Sequence, residues 1–300
     1  MDNVLLGQCI ALLSDIHSNY HALHACVEDA KAQGADCFVF LGDYITGLAD
    51  PIKTMDLVYQ LQEQYSTAFV RGNRERSMLE HHTGVSVLKP GSYTGSYLFT
   101  YQQLREKDLA FFSALNIATT VQVGGIDLAI AHATMENDRY LFEKEDDRIG
   151  DVFDTMSTPY LLTGHAHEQY CCTRGNKTII NPGSVGLPHG NDWRAQYTLL
   201  RLENGQLSWD FRRVTYDMEA TIHAQFQSGL AECGKYWAIC DLYSAIEGKE
   251  YTKDLLIKLY RRAADSADAF YDEALWHQYA VELNLGFTAQ DALNRFYETR

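Results

Sequence analysis

Short apolar runs that stop abruptly at Gly, Asp, Asn or His punctuate the chain as far as about Asp217, with helical spacing between them. Cys9–Ser14 predicts a strand. Tyr20–Gln33 predicts a helix, with Leu23, Val27 and Ala30 on one face and Gly34 placed to end it. Asp36–Leu41 reads as a second buried strand closed by Gly42-Asp43, and Ser66–Arg71 as a third closed by Gly72-Asn73-Arg74-Glu75. Between these two strands, Pro51–Gln64 predicts a helix with proline in its first turn. Strand–helix–strand order means parallel pairing, and functional residues collect beyond the carboxyl ends of parallel strands.

His81 to Gln103 is irregular and rich in Gly, Ser and Tyr, the composition of a surface excursion or flap near the site. Ile117–Val123 and Ile126–Ala131 flank Gly124-Gly125 and predict a hairpin. A helix over Glu145–Met156 and a strand over Pro159–Thr163 follow, then strands near Tyr170–Thr173, Thr178–Ile180, Tyr197–Leu202 and Leu207–Val214. Past Asp217 the pattern is helical only: Met218–Ala231, Tyr236–Glu247, Lys253–Ala264, Asp268–Glu282 and Ala289–Tyr297. Gly234 and Gly248 serve as breaks and Thr288 as an N-cap. The stripe Leu255, Leu256, Leu259, Tyr260 and the pair Trp276, Tyr279 indicate packed helices rather than a ligand box. The expected organisation is an α/β domain over residues 1–217 and a helical extension over 218–300, capping the site mouth.

At 46% apolar and 22% charged, the 300 residues can bury a sizeable core. A formal charge of −15 argues against duplex nucleic acid or an anionic membrane surface as partner. It leaves room for a small phosphorylated substrate, because bound cations reverse the potential locally. The seven cysteines are scattered and form no C-x-x-C pattern, as expected of reduced packing residues in a cytoplasmic protein. No basic-then-apolar leader and no membrane-length apolar run stands out. Nothing in the pattern fixes an oligomeric state.

The candidate chemistry lies at the strand ends. Asp15/His17, Asp43, Asn73, His132, His165/His167 and Asn181 each follow an apolar run. Residues i and i+2 of an extended backbone share a side, so Asp15 and His17 can converge on one point. Each residue has a bland explanation: a turn residue for His17, a satisfied core histidine for His132, a helix cap for Asn73. Four of 11 histidines directly after strand-like runs is the pattern those explanations do not produce. Oxygen plus imidazole donors suit manganese, iron or zinc. Two carboxylates, one amide oxygen and four imidazoles are too many for one ion. Two ions about 3.5–4 Å apart, sharing a carboxylate, fit the count, and the thiolates of a structural zinc site are missing.

Asp15-x-His17, Gly42-Asp43, Gly72-Asn73-Arg74-Glu75, His132, Gly164-His165-Ala166-His167 and Asn181-Pro182-Gly183-Ser184-Val185-Gly186 together resemble the calcineurin-like metallophosphoesterases. The compact bacterial and archaeal phosphodiesterase branch is the nearest likeness, over residues 8 to about 215. The resemblance implies a four-layer α/β sandwich with a C-terminal helical extension outside the shared region. It also implies two divalent or trivalent cations, manganese, iron or both, with zinc as the alternative. Asp15, His17 and His167 would hold the first ion; Asn73, His132 and His165 the second; Asp43 would bridge them. The Asn-Pro-Gly-Ser segment would close the site from behind.

One position departs from the family pattern. The histidine usually found after the asparagine, thought to protonate the leaving oxygen, is Arg74 here, and a guanidinium does not give up its proton at neutral pH. Asn73, Arg74 and His132 are therefore the expected catalytic residues, with Arg74 acting electrostatically and with Asn19 and His189 as further substrate contacts. Glu75 belongs behind the ligands, and Tyr44 is expected to fill a gap, with stacking on a base as the alternative. The expected function is hydrolysis of a small phosphodiester or nucleotide phosphoanhydride, a dinucleoside polyphosphate for example, by attack of a water held between the ions. The alternatives are a phosphomonoesterase or protein phosphatase of the same fold, and a non-catalytic metal-binding interaction scaffold.

Overall fold

Cys9–Leu13 and Cys37–Phe40 are buried along their whole length because their sheet is covered on both faces. In chain order the strands are β1 (Val4–Leu5), β2 (Cys9–Leu13), β3 (Cys37–Phe40), β4 (Ser66–Phe69), β5 (Ala118–Val123) and β6 (Ile126–Ala131). Then come β7 (Tyr160–Thr163), β8 (Gln169–Arg174), β9 (Lys177–Pro182), β10 (Ala195–Glu203) and β11 (Gln206–Val214). This computed structural model describes residues 4–140, 147–263 and 267–300. One sheet has the order β1-β5-β6-β7-β9-β8, the other β11-β10-β2-β3-β4. β2, β3 and β4 pair in parallel, as do β6, β7 and β9. The β5–β6 hairpin turns at Gly124-Gly125, both at positive φ, as a tight two-residue turn requires.

Side-chain alternation sorts the layers. Ile10, Leu12 and Val39 of one sheet meet Leu128, Ile130, Leu162 and Ile180 of the other, which forms the inter-sheet core. Their neighbours Ala11, Leu13, Phe38 and Phe40 face away, beneath the helices α1 (Tyr20–Ala32) and α2 (Pro51–Gln64). On the outer face of the six-stranded sheet, Ala129, Ala131, Leu161 and Ile179 pack on Val152 and Phe153 of α6 (Ile149–Thr155). Helix, sheet, sheet, helix is the four-layer sandwich. The first residues of the helix expected at Glu145–Met156 lie outside the described residues.

The stretch read as a surface excursion is partly helical and partly buried. α3 (Asn73–His82) enters it, and α4 (Gly95–Gln103) follows with Ser96, Phe99 and Thr100 buried. α5 (Glu106–Ala114), which the apolar pattern did not single out, buries Leu109 and Phe112. The C-terminal helices are α7 (Met218–Gln227), α8 (Leu230–Glu247), α9 (Tyr251–Ala263), α10 (Glu273–Glu282) and α11 (Ala289–Glu298). The break expected at Gly234 is present: the backbone leaves helical geometry at Lys235, φ 44° and ψ −123°, so α8 is two helical segments joined by a kink, the second starting at Tyr236. The glycine is also needed for contact. A Cβ on Gly95 of α4 would overlap the Cys233 carbonyl oxygen of α8, and one on Gly234 would overlap Ser96. The backbones of α4 and α8 touch because neither has a side chain there. Trp237, Leu242, Tyr243 and Ile246 of α8 share one continuous apolar core with Leu23, Leu48 and Met55. No described helix is long and apolar enough to cross a membrane.

Candidate metal centre

Every candidate ligand leaves the carboxyl end of a parallel strand. Asp15 and His17 follow β2, Asp43 follows β3, Asn73 follows β4, His132 follows β6, and His165 and His167 follow β7. The two sheets present these ends to the same side. β2 stops at Leu13, however, and Asp15, His17, Asp43, His165 and His167 all take positive φ, between 51° and 66°. Asp15 and His17 thus converge through a tight left-handed turn, not through strand alternation. Such backbone costs roughly 1–2 kcal/mol per residue for an L-amino acid. Hydrogen bonds between the loops hold it: Asp15 N donates to Gly42 O at 3.1 Å, His17 N to Asp43 O at 3.0 Å and Gly164 N to His132 O at 2.8 Å. Gly42 and Gly72 make the approach sterically feasible. A Cβ on Gly72 would overlap the Asp43 carboxylate, and one on Gly42 would stand 2.8 Å from Gly72 Cα.

Two trios of side chains could each hold an ion, Asp15/His17/His167 and Asp43/His132/His165, with ligand atoms within 4.8 Å of one another. His17 Nε2 and His167 Nε2 face each other at 3.0 Å. Asn73 Oδ1 lies 3.1 Å from His132 Nε2. Asp43 Oδ2 lies between the trios, 3.8 Å from His17 Nε2 and 3.5 Å from His132 Nε2. The outward-facing imidazole nitrogens are engaged behind the site, His132 Nδ1 with Leu41 O at 2.7 Å and His167 Nδ1 with Leu187 O at 2.8 Å. That fixes both rings with Nε2 free as a donor atom. Asp15 Oδ2 is held by Ser14 Oγ and His165 N at 2.6 and 2.9 Å, while its buried Oδ1 has no hydrogen-bond partner. A buried, unpartnered carboxylate oxygen facing imidazole nitrogens is costly unless a cation completes it. The donor set fits two cations.

Electrostatics agree with that demand. Burial by itself would raise the Asp15 carboxyl, but the imidazoles of His167, His132 and His17 outweigh it and hold it well below the usual range. Burial raises Asp43, with His132 and Arg74 pulling against it. Burial and then the neighbouring His132 push His165 down to about 3, so it stands neutral. Glu75 is pushed up to about 7 by burial and by Asp43; it accepts from the backbone N–H groups of Asp43, Tyr44 and Gly72. It therefore fixes the Asp43 loop against α3.

The sequence profile of the calcineurin-like phosphoesterase superfamily domain matches residues 9–205. This chain belongs to that superfamily. By that membership it is a metal-dependent phosphoric ester hydrolase, and the family implies a dinuclear divalent metal centre. A protein of Methanocaldococcus jannaschii, described only as uncharacterized, is 27% identical over 246 residues, 76% of this chain and 96% of its own length. Two solved structures share the fold. A metallophosphoesterase from Sphaerobacter thermophilus is 19% identical at TM-score 0.63, covering 80% of this chain and 99% of its own. A hypothetical protein from Pyrococcus horikoshii is 15% identical at TM-score 0.67, covering 81% and 99%.

In this member of the superfamily, a cleft of about 230 Å³ opens over the candidate ligands, with Asp43, Asn73, His165 and His167 on its floor. Arg74 spans the rim: its backbone N–H donates to Asp43 Oδ1 at 2.9 Å, its Nε lies 3.6 Å from Asp43 Oδ2, and its guanidinium donates to the Tyr97 hydroxyl of α4. Burial alone would lower its pKa, yet Tyr97, Asp43 and Asp241 more than restore it, so the charge is permanent. His189 lines the cleft, its ring centroid 4.9 Å from that of His167. Asn19 does not face it. Buried at the N-terminus of α1, Asn19 accepts from Ala22 N and donates to Gly186 O and Tyr216 Oη, so the expectation of a substrate contact is corrected. Asn181 is likewise spent on backbone, donating to Gly164 O and accepting from Gly183 N. Tyr44 fills a buried gap and donates to Val70 O.

Sequence reasoning missed one wall of the cleft. Asp241 and Ser244 of α8, with Glu250 and Thr252 beyond it, line the cleft together with the candidate ligands. The available signal was a lone carboxylate inside the apolar run Tyr236–Ile246.

Proposed function

We propose that the chain hydrolyses a small phosphodiester or a nucleotide phosphoanhydride at this centre. The reading rests on one observation above all, two donor trios that meet at Asp43 Oδ2 on the floor of a cleft rimmed by Arg74. In it, Asp15, His17 and His167 hold one cation and Asn73, His132 and His165 the other, with Asp43 shared. Manganese or iron suits this oxygen–imidazole set, with zinc as the alternative. When bound, the pair would withdraw charge from the phosphoryl oxygens and make a water between them acidic enough to attack phosphorus in line.

The chain's own contribution beyond the ligands is positional and electrostatic. Arg74 offers fixed donors to a phosphate oxygen, oriented by Asp43 and Tyr97, and supplies no proton. His189, which burial and then His167 push down to about 3, is neutral and can accept a hydrogen bond at the cleft edge. Leaving groups that depart as stable anions are therefore favoured over alkyl alkoxides. Residues 1–217 would carry the chemistry and residues 218–300 a wall of the substrate cleft, a division of roles within one core. Seven unpaired cysteines support a reducing, cytoplasmic compartment.

The test is metal content together with turnover of aryl diesters and monoesters graded by leaving-group pKa, with Mn²⁺ added. Two metal equivalents, diesters turned over faster than monoesters, and a steep leaving-group dependence are expected. A monoester preference with a shallow dependence would replace this reading with a phosphomonoesterase. Full metal loading without turnover of any ester would leave a metal-binding scaffold.

A further inference from the structure

The wall supplied by the helical extension is chemically unlike the floor. Asp241 is 2% exposed, and Thr252 Oγ1 donates to its Oδ1 at 2.9 Å. The residue lines the cleft, and its fully buried Oδ2 has no hydrogen-bond partner. Trp237 Nε1, one turn earlier on α8, is near but makes no hydrogen bond of ordinary geometry and is itself unpartnered. The site of a Cβ on Gly47 would be 3.4 Å from both Asp241 Oδ2 and His17 Cβ, which puts the carboxylate next to the ligand loops. Glu250, 3.6 Å from Lys253, adds a second carboxylate to the same wall. A buried carboxylate in a cleft wall, with one oxygen left without a partner, calls for a donor from whatever occupies the cleft.

We infer that Asp241, with Glu250 and Thr252, forms an acceptor subsite for neutral hydroxyl groups on the non-phosphoryl part of the substrate, a sugar diol for example. This rests on the phosphoesterase reading above and adds a substrate class to it. Two carboxylates would repel a further phosphate, so any second phosphate must lie toward Arg74 and Tyr97. A substrate ammonium would be held close to Arg74 and the cation sites, and like charge opposes it. A neutral donor pair satisfies the carboxylate without either penalty, and a site built to hydrogen-bond a hydroxyl discriminates strongly against the analogue lacking it.

Calorimetric binding to the Mn²⁺-loaded full chain tests this with uridine monophosphate, its dideoxy analogue lacking both ribose hydroxyls, and phosphoethanolamine as the ammonium probe. The p-nitrophenyl esters of all three are compared by kcat/KM. Wild type should prefer the hydroxylated ligand by roughly ten- to a hundredfold, expressed in Kd and KM rather than kcat. In Asp241→Ala that ratio should collapse to within about twofold of unity. Asp241→Asn keeps the side-chain size and the Thr252 contact, and should lose most of the preference with native circular dichroism. A ratio unchanged in both variants, no wild-type preference, or tighter binding of the ammonium probe would each overturn the subsite. Failure of all three esters to turn over would instead count against the phosphoesterase reading, while the binding ratio still decides the subsite.

Discussion

The sandwich and the helical extension contribute to one cleft in opposite ways. The sandwich offers its ligands from loops held in left-handed backbone, with imidazoles fixed from behind by carbonyls and a charge balance that a cation completes. The extension offers Asp241 from the regular turn of a buried helix, with the hydroxyl of Thr252 fixing one oxygen and leaving the other free. Strained loops place several donors within a few ångströms of a point, as metal binding demands. A helix places one acceptor rigidly at a distance, as recognition demands. The lesson is that chemistry and selectivity can sit on different kinds of backbone within one apolar core.

The floor of the cleft is the most sensitive to substitution. Asp43→Asn removes the charge facing both trios and should release both ions, cutting turnover by at least about a thousandfold. His132→Ala should release one ion and cost roughly a hundredfold, with the fold intact because the ring sits at the site rather than between layers. Elemental analysis alongside kinetics checks both, and near-normal rates in either at saturating metal would refute a dinuclear centre.

At the rim, Arg74→Ala should lower kcat/KM by roughly ten- to a thousandfold, with the order of leaving groups preserved, since the guanidinium contributes charge and not a proton. A changed leaving-group slope in that variant would mean that Arg74 governs proton transfer after all.

The junction between the regions responds in stability. Gly95→Ala forces α4 off α8 and should cost about 1–3 kcal/mol in denaturant unfolding. The Tyr97 end of the Arg74 contact should loosen with it, while metal content stays unchanged. Loss of metal in that variant would show that the two regions are more tightly coupled than their contacts imply.

The smallest effect is electrostatic. Asp192 lies where Gly248 at the end of α8 meets the sandwich, Asn191 N donating to Gly248 O at 2.8 Å. Its carboxyl is held down to about 2 by hydrogen bonds from Arg194, against burial, with Arg213 adding to them. A carboxylate with a depressed folded-state pKa stabilises above its unfolded value and loses that stability as pH falls through the folded one. Asp192→Asn should therefore cost about 1 kcal/mol at neutral pH, discounted because both arginines are partly solvated, and the gap should close between pH 4 and pH 2. Parallel unfolding curves at every pH would remove that anchor.

The strands from β2 onward, their parallel order and the candidate ligands at their ends were legible in the sequence, while the two-residue β1 was not. Continuous apolar runs and the polar residues that stop them are local signals of strands buried on both faces. The β5–β6 hairpin and the Thr288 cap, whose hydroxyl accepts from Asp291 N, were legible for the same local reason. Three matters were decided only by tertiary structure. Asp15 and His17 converge through left-handed turns because inter-loop hydrogen bonds compensate for the strain. Gly234 serves a helix crossing as well as the break at Lys235, and only the fold shows the crossing, because its partner Gly95 is remote in sequence. Asp241 reaches the cleft because α8 is packed by the core it shares with α1 and α2, and no spacing along the chain carries the distance between a helix and candidate ligands that precede it by 74 to 226 residues.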